Sequence, residues 1–323
     1  MVEEIIVSAP AHLHAGNIDL SGELGRLFGT LGFTISWPRH ILHVKKCRDI
    51  EIRGKNADLF NELAYQLKQR HDLPGLCINI ITTIPCHVGM GCTTAATLSI
   101  IDAYNTIYKA NINAIEALLS IGRSQVSALG YYSYSLGGAI IDGGYKVNRK
   151  SRNIPPLIAR FNIPSHWRFL VVLPHRPLKN ILEIKSKENQ ILSSMRKAER
   201  KQAEKFSHIV LMKIMPSLAE GDLRTLMEGL FEFNKRLGEM YWRVYQGGTY
   251  CCEIVEKGIE LLRRMGLVGG LQSSWGPTFY TIVEAGDAQR VASFVNSWLK
   301  EVGGGEIYIV PPDNKGARIF FVK

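Results

Sequence analysis

The chain has 323 residues, of which 46% are hydrophobic and 21% are charged, so its composition is that of an ordinary globular protein with room for two domains. No run approaches the roughly eighteen apolar residues of a membrane span, and the N-terminus has no apolar signal core. We therefore expect a cytoplasmic protein with no membrane partner. The formal net charge of +10 is not gathered into a basic patch with interleaved aromatic residues, which argues against a nucleic-acid partner and favours a polyanionic small substrate.

The six cysteines show no CxxC spacing and no framework of pairs. This usage is typical of reduced thiols in the cytoplasm, so we expect neither a zinc site nor disulfides.

Apolar periodicity predicts strands and helices that alternate along the chain. In chain order, the predicted elements are a strand at 3–8, strands at 35–37, 41–44 and 50–52, a helix at 56–71, a strand at 76–84, helices at 95–108 and 114–121, a strand at 139–141, a strand at 167–173, helices within 183–238 and at 251–265, a strand at 279–283, a helix at 287–299, and strands at 307–310 and 319–322. Three glycine-rich segments, at 12–33, 122–144 and 269–278, lie between these elements, and we interpret the part of the first that carries Asp19 and Arg26 as a loop.

The stretch PCHVGMGCTTAA, from Pro85 to Ala96, follows a predicted strand and opens a predicted helix. A strand, a glycine-containing turn and a helix N-terminus point free backbone N–H groups and the positive end of the helix dipole at one spot. Such a spot binds an anion, most often a phosphate. A tight turn without a ligand is the alternative that the glycines alone leave open.

The order of three motifs resembles the GHMP kinase superfamily, which includes galactokinase, homoserine kinase and mevalonate kinase. The motifs are Ala9-Pro10-Ala11-His12, the loop from Pro85 to Ala96, and the segment from Gly269 to Thr278. The resemblance implies an α+β, two-domain fold with a ribosomal S5 domain 2-like N-terminal half and a ferredoxin-like C-terminal half, and it suggests a homodimer. We place the halves at residues 1–160 and 161–323, because the Pro155-Pro156 pair disfavours regular structure near that point.

One position separates the chain from many kinases of this superfamily. Those that use an acidic catalytic base carry it in a Ser-Gly-x-Asp pattern, seven residues before a Gly-Gly pair. Counting back from Gly137-Gly138 leads to Gly130, and glycine cannot remove a proton. Some superfamily kinases lack this residue, so a kinase that uses ATP and Mg²⁺ stays an alternative, as does a catalytically silent protein that binds a phosphorylated metabolite.

Longer stretches resemble the archaeal β-ribofuranosylaminobenzene 5′-phosphate synthase family, a branch of the same superfamily without kinase activity. They lie at 14–26, 85–91, 137–144, 155–160 with 167–169, and 272–278. The resemblance implies a transferase that joins phosphoribosyl diphosphate to 4-aminobenzoate or 4-hydroxybenzoate with loss of CO₂ and diphosphate, toward methanopterin-type cofactors. It also implies Mg²⁺, held mainly through substrate phosphates.

Three residues are our candidates for catalysis. Asp19 would steady positive charge at the ribose C1 or hold a metal, with a turn role as the alternative. Arg26 would pair with a phosphate or carboxylate, or form a structural salt bridge. His14 would donate to phosphate or carry a proton, or it would be a packed polar side chain.

A second group of residues is predicted to bind phosphate or substrate. Its members are loop backbone groups, small hydroxyl side chains and longer donors: His87, Gly89, Gly91, Cys92, Thr93, Thr94, Arg123, Gln272, Ser273 and Ser274. Trp275 could stack on an aromatic acceptor, but we interpret it as core, and we interpret Asp142 as a turn residue.

Overall fold

The computed structural model of the protein describes residues 2–122, 126–147, 153–175, 191 and 197–322. The strands of the described ranges are β1 (Glu4–Asp19), β2 (Arg26–Cys47), β3 (Glu51–Arg53), β4 (Gly75–Thr82), β5 (Ala139–Asp142), β6 (Tyr145–Lys146), β7 (Leu157–Phe161), β8 (Trp167–Pro174), β9 (Leu271–Gln272), β10 (Phe279–Glu284), β11 (Gly305–Val310) and β12 (Arg318–Phe321). The helices are α1 (Ala57–His71), α2 (Cys92–Tyr108), α3 (Ala114–Ser120), α4 (Leu129–Leu136), α5 (Arg200–Ile209), α6 (Met215–Glu220), α7 (Leu223–Leu237), α8 (Arg243–Gln246), α9 (Glu253–Arg264) and α10 (Ala285–Glu301).

The N-terminal half is built on one large sheet. Its strands run in the order β12-β1-β2-β4-β3, and β5 joins β2 to β7 beside this path. The long β1 and β2 pair antiparallel from Glu4–Lys45 to Asp19–Phe28. α2 packs against β1 and so carries its N-terminus to this part of the sheet.

The C-terminal half has a four-stranded antiparallel sheet in the order β11-β8-β10-β9. Numbered along the chain within this half, that order is 4-1-3-2 with helices between the first and second and between the third and fourth strands, which is the ferredoxin-like arrangement. On β8, Phe169 and Val171 face the main core while Leu170 and Val172 face α9 and α10. The predicted α+β, two-half fold is therefore the observed one.

The change of sheet between β7 and β8 falls beside the predicted boundary at residue 160. The final strand then returns to the other half, because β12 pairs with β1 from Ile5–Phe321 to Ser8–Arg318. The main core is also continuous, since side chains such as Phe33 and Phe169 of the two halves pack with ring centroids 5.6 Å apart.

Within the described ranges, two helical turns are wound as π-helix, at Val210–Ile214 and Gly238–Trp242. Such turns inside longer helices often occur at functional sites. The second one directly follows α7 and carries Tyr241 and Trp242 toward β1.

Two of the sequence-based expectations are wrong. The segment 12–33 is not a glycine-rich loop: most of it belongs to β1 and β2, so Arg26 begins a strand. The cysteines are not all reduced, because Cys47 pairs with Cys77 and Cys86 pairs with Cys92, with Cα atoms 5.5 and 5.1 Å apart. The first pairing joins the neighbouring strands β2 and β4, and the second closes the loop between β4 and α2 across six positions. None of the described helices is both long enough and apolar enough to cross a membrane.

Candidate active site

The loop between β4 and α2 has a backbone whose handedness alternates. His87, Gly89 and Gly91 have φ angles of 62°, 87° and 79°, whereas Val88 and Met90 between them are not among the residues with positive φ. Alternation of positive and negative φ along successive residues is the pattern of backbone nests, whose N–H groups turn toward one side and form a concave anion site. The predicted phosphate loop therefore has the backbone of such a site.

The N-terminus of α2 adds to this anion site. Its N-cap is Gly91, no side chain caps the first turn, and that turn contains no acidic residue. The first helical bond runs from Ala95 N to Gly91 O at 3.2 Å, so within the described ranges the N–H groups of Cys92, Thr93 and Thr94 have no protein acceptor. The positive end of the dipole of this 17-residue helix therefore lies beside the loop, together with these three N–H donors.

The loop glycines are required by protein contacts as well as by their φ angles. A Cβ atom on Gly89 would overlap the carbonyl oxygen of Ser273, and one on Gly91 would overlap the ring of His12. The loop backbone therefore lies directly against the Ser273 carbonyl of segment 269–278 and against the His12 ring of β1. All three motifs of the sequence contribute to one place.

Ser273 joins these pieces by hydrogen bonds. Its hydroxyl donates to Gly89 O at 2.6 Å and accepts from His14 N at 2.9 Å, and the residue is fully buried. A hydroxyl has one proton, so a side chain that donates to Gly89 O does not also donate to a bound phosphate. In this structure Ser273 holds the loop.

Gln272 is also fully committed to protein partners. Its amide nitrogen donates to Gln246 Oε1 and Ser274 O, at 3.0 and 2.9 Å, and its oxygen accepts from Cys251 N at 2.6 Å. The side chain is completely buried, so it orders the segment around Ser273.

His12 and His14 lie two residues apart on β1, beside the loop. Burial lowers the pKa of His12 to about 4, and burial together with the nearby His12 lowers the pKa of His14 to about 3. Both rings are neutral at pH 7, so His14 offers no positive charge to a phosphate. Its Nδ1 is buried and has no hydrogen-bond partner among the described residues.

Gly130, where an acidic kinase base would stand, lies against the same cluster. A Cβ atom there would be 2.8 Å from Thr94 Cγ2 and 3.2 Å from His12 Cε1. The space next to the phosphate loop that a carboxylate would need is filled by a threonine methyl group and a neutral imidazole.

An aromatic group continues from His14 away from the loop. The ring of His14 lies 6.2 Å from Trp242, Trp242 lies 5.8 Å from Trp275, and Trp275 lies 6.5 Å from Tyr245. The two tryptophans are buried, in line with the interpretation of Trp275 as core.

Asp19 ends β1, five residues beyond His14, or about 16 Å along an extended strand. Its Oδ1 accepts from Ser21 N, Ser21 Oγ and Gly22 N at 2.7, 2.7 and 3.2 Å, which is a turn role. Its Oδ2 has no partner within the part of the chain that the structure describes. The carboxylate also lies close enough to Tyr241 to help raise the pKa of that phenol to about 12, after burial as the main cause.

Arg26 lies opposite Lys146, across the ladder between β2 and β6. Its guanidinium donates to Gly143 O at 2.6 Å and to Gly144 O at 2.7 Å. The arginine thus binds backbone carbonyls rather than the salt-bridge partner that we considered, and its charge is not neutralised by a carboxylate among the described residues.

Asp142 also stabilises the turn at Gly143 and Gly144, from the buried side. It accepts from the N–H groups of Thr30, Ala128 and Gly144 at 2.9 to 3.1 Å, and its burial raises its pKa to about 6. This is the turn role that the sequence suggested.

The remaining predicted residues divide by exposure. Cys92 is buried in its disulfide, Thr93, Thr94 and Ser274 are half-buried, and His87 is exposed. Arg123 lies outside the described residues, and the helical run predicted from residue 183 is described continuously only from residue 197.

The sequence interpretation brought together His14, the loop and Ser273, but it did not single out His12 or Trp242. The spacing of His12 and His14 on one strand was the available signal, because alternate strand residues share a face.

Comparison with known proteins agrees with this geometry. Residues 214–301 match the family model described as GHMP kinases C terminal. The chain is 26% identical to the beta-ribofuranosylphenol 5′-phosphate synthase of Methanothermobacter thermautotrophicus, with 100% of each chain covered. It is 25% identical to the protein of the same name from Methanocaldococcus jannaschii, with 98% of this chain and 100% of that protein covered.

Solved structures share the fold at low sequence identity. A homoserine kinase from Cytophaga hutchinsonii superposes with a TM-score of 0.69 at 14% identity, over 99% of this chain and 98% of that one. A mevalonate diphosphate decarboxylase from Staphylococcus aureus gives 0.65 at 12% identity, over 99% and 98%. The resemblance to the GHMP kinase superfamily is confirmed, and so is the similarity to the synthase branch.

Proposed function

We propose that this chain, which has the fold of the GHMP kinase superfamily, is a transferase that joins phosphoribosyl diphosphate to 4-hydroxybenzoate and releases CO₂ and diphosphate. The products of this reaction fit the printed name of the full-length relatives, beta-ribofuranosylphenol 5′-phosphate synthase. Of the two acceptors considered from the sequence, that name favours the one whose ring keeps a hydroxyl group.

The reaction needs no base to remove a proton from the acceptor carbon. The bond between ribose C1 and diphosphate oxygen breaks with its electron pair, and the ring carbon that carries the carboxylate forms the new bond to C1. The pair of electrons from the bond to CO₂ then returns to the ring. CO₂ thus leaves in place of the proton that an ordinary substitution on an aromatic ring would release.

The observation that carries the proposal is an anion site without a kinase base. Gly130 supplies no carboxylate, and His12 and Thr94 occupy the adjacent space. A kinase that uses an acidic base needs a carboxylate at this place to remove the hydroxyl proton, whereas decarboxylative transfer needs none. The alternating loop and the open N-terminus of α2 suit the phosphates of the donor.

The other predicted residues are assigned within this proposal. The aromatic acceptor would lie along β1, between the His14–Trp242 pair and Asp19, whose carboxylate is close to Tyr241. Asp19 would steady positive charge at C1 through Oδ2, while Oδ1 keeps its turn.

Mg²⁺ would accompany the donor phosphates. Among the described residues there is no group of three His, Cys, Asp or Glu side chains that could hold an ion by themselves. This suits an ion that is bound chiefly by substrate oxygens, with Asp19 as the available carboxylate. Bound in this way, the ion would neutralise charge on the leaving diphosphate. A cytoplasmic location and a homodimer are further parts of the proposal, and sedimentation of the purified protein tests the second.

The direct test is incubation with phosphoribosyl diphosphate, Mg²⁺ and carboxyl-labelled 4-hydroxybenzoate, with 4-aminobenzoate as the parallel acceptor. We expect labelled CO₂ to be released only when the donor is present. Absence of release with both acceptors would overturn the proposal.

The kinase alternative is supported by the kinase-like loop residues Thr94, Ala95 and Ala96. Thermal unfolding with ATP or with phosphoribosyl diphosphate, each with Mg²⁺, separates the two functions, because a ligand raises the unfolding temperature of the protein that binds it. Stabilisation by ATP alone would favour the kinase.

A further inference from the structure

We propose that Ser273 is a positioning residue that orients the phosphate loop from the opposite half of the chain. It would act on the anion site through the loop backbone and would not touch the anion. The inference concerns the loop itself, so it rests on the proposed function only in taking a phosphorylated compound as the natural ligand.

The first step is the direction of the peptide units. In a trans peptide, the C=O and the following N–H point in opposite directions. The Ser273 hydroxyl takes Gly89 O at 2.6 Å, so the Met90 N–H of the same peptide unit points away from Ser273. The carbonyl of Gly89 is therefore fixed toward Ser273, and the N–H group of Met90 is fixed toward the concave side of the loop, where the anion would bind.

The neighbouring peptide unit is fixed in the same way. His12 N donates to Met90 O at 3.2 Å, which directs the Gly91 N–H away from β1. The N–H groups of Met90 and Gly91 are therefore each oriented by a hydrogen bond to the carbonyl group of the same peptide unit. The strand supplies one of these bonds from its backbone, and the C-terminal half supplies the other from a side chain.

Ser273 is itself held rigidly. Its N–H donates to Thr278 O at 2.9 Å, its carbonyl accepts from Gly276 N at 3.0 Å, and its hydroxyl accepts from His14 N at 2.9 Å. Asn234 fixes the preceding residue by accepting from Gln272 N at 3.1 Å and donating to Gln272 O at 3.1 Å. A hydroxyl placed so firmly can fix the loop carbonyl at low cost in side-chain entropy.

The test compares Ser273→Ala with Thr281→Val in the full chain. Thr281 is a matched control, because it is equally buried and its hydroxyl, on β10, donates to a glycine carbonyl, Gly269 O, at 2.9 Å. Isothermal titration with inorganic diphosphate measures anion affinity without turnover. Because the loop N–H groups lose their fixed orientation, the dissociation constant for diphosphate should rise about tenfold in Ser273→Ala. In Thr281→Val it should stay within about twofold of the value for the unsubstituted protein.

Hydrogen exchange gives a second readout that needs no ligand. Exchange that reports on the loop is that of the His12 and Ala95 amides, which donate to Met90 O and Gly91 O; it should be faster in Ser273→Ala than in Thr281→Val, while amides of α10 exchange alike in both. Equal exchange of the loop in the two variants would overturn the proposal. Faster loop exchange in a protein that binds no diphosphate would support the positioning role and count against the proposed function.

Discussion

At the scale of single residues, Asp19 has a structural oxygen and an available one. Oδ1 accepts three hydrogen bonds from Ser21 and Gly22, and an asparagine in its place keeps that oxygen. We expect Asp19→Asn to lower kcat about 100-fold, because the negative charge is lost, while the unfolding temperature changes little. Steady-state kinetics and thermal unfolding measure the two effects.

Ser21→Ala is the control for this variant. It removes the hydroxyl that donates to Oδ1 and leaves the charge of Asp19 in place. If Ser21→Ala loses as much activity as Asp19→Asn, the role of Asp19 is confined to the turn.

Arg26 has a structural task that the sequence did not reveal. Since its guanidinium donates to both Gly143 O and Gly144 O, Arg26→Ala should lower the free energy of unfolding by about 2 kcal/mol, together with a loss of activity. Urea denaturation gives the first quantity. Arg26→Lys keeps the charge but cannot make both bonds in one plane, so activity recovered by lysine without recovered stability would show that the charge acts on the substrate.

At the scale of elements, the meeting of the loop with β1 depends on Gly91. A Cβ atom there would overlap the His12 ring, in addition to the cost of a φ of 79°. We expect Gly91→Ala to destabilise the fold by more than about 2 kcal/mol and to abolish diphosphate binding. Urea denaturation and titration calorimetry measure these effects.

Gly122→Ala is the matched control for backbone strain. Its φ is 74°, and a Cβ atom would meet nothing within 4 Å among the described residues, so only the left-handed conformation is penalised there, by about 1 kcal/mol. Equal losses of stability in Gly91→Ala and Gly122→Ala would show that the contact with His12 is unimportant.

The same elements show which features could be predicted from sequence. The phosphate loop and α2 follow from a local pattern, and the sequence predicted both. The segment 12–33 was misread as a loop because its glycines serve contacts that are distant along the chain: a Cβ atom on Gly32 would overlap Leu129 and lie 2.6 Å from Leu13 O. The Ser273–Gly89 bond spans 184 positions, and no local pattern encodes such a partner.

At the scale of the whole molecule, three histidines make stability depend on pH: His40 is fully buried, and His12 and His14 are half-buried. Burial lowers the pKa of His12 and His40 to about 4 and that of His14 to about 3, from the ordinary 6.5. His40 shows the structural reason. Its Nδ1 accepts from Ile84 N at 3.3 Å and its Nε2 lies 3.0 Å from Cys92 O, so a second proton on Nδ1 would break the first bond.

Because the folded pKa values lie below the unfolded value, these groups favour folding above pH 6.5, and that contribution is lost as the pH falls toward 4. Each histidine should cost at most about 2 kcal/mol at pH 5. Asp142 acts in the opposite direction. Its raised pKa of about 6 makes protonation favour folding as the pH falls from 6 toward 3.8, but one carboxyl offsets only part of the effect of three imidazoles.

We therefore expect the free energy of unfolding, measured in urea, to fall by several kcal/mol between pH 7 and pH 5. His14→Gln removes one titrating ring and should make this dependence shallower by about a third. A dependence of equal steepness in the variant and the unsubstituted protein would mean that the ring of His14 is not kept neutral by the fold. It would also restore His14 as a charged donor to phosphate.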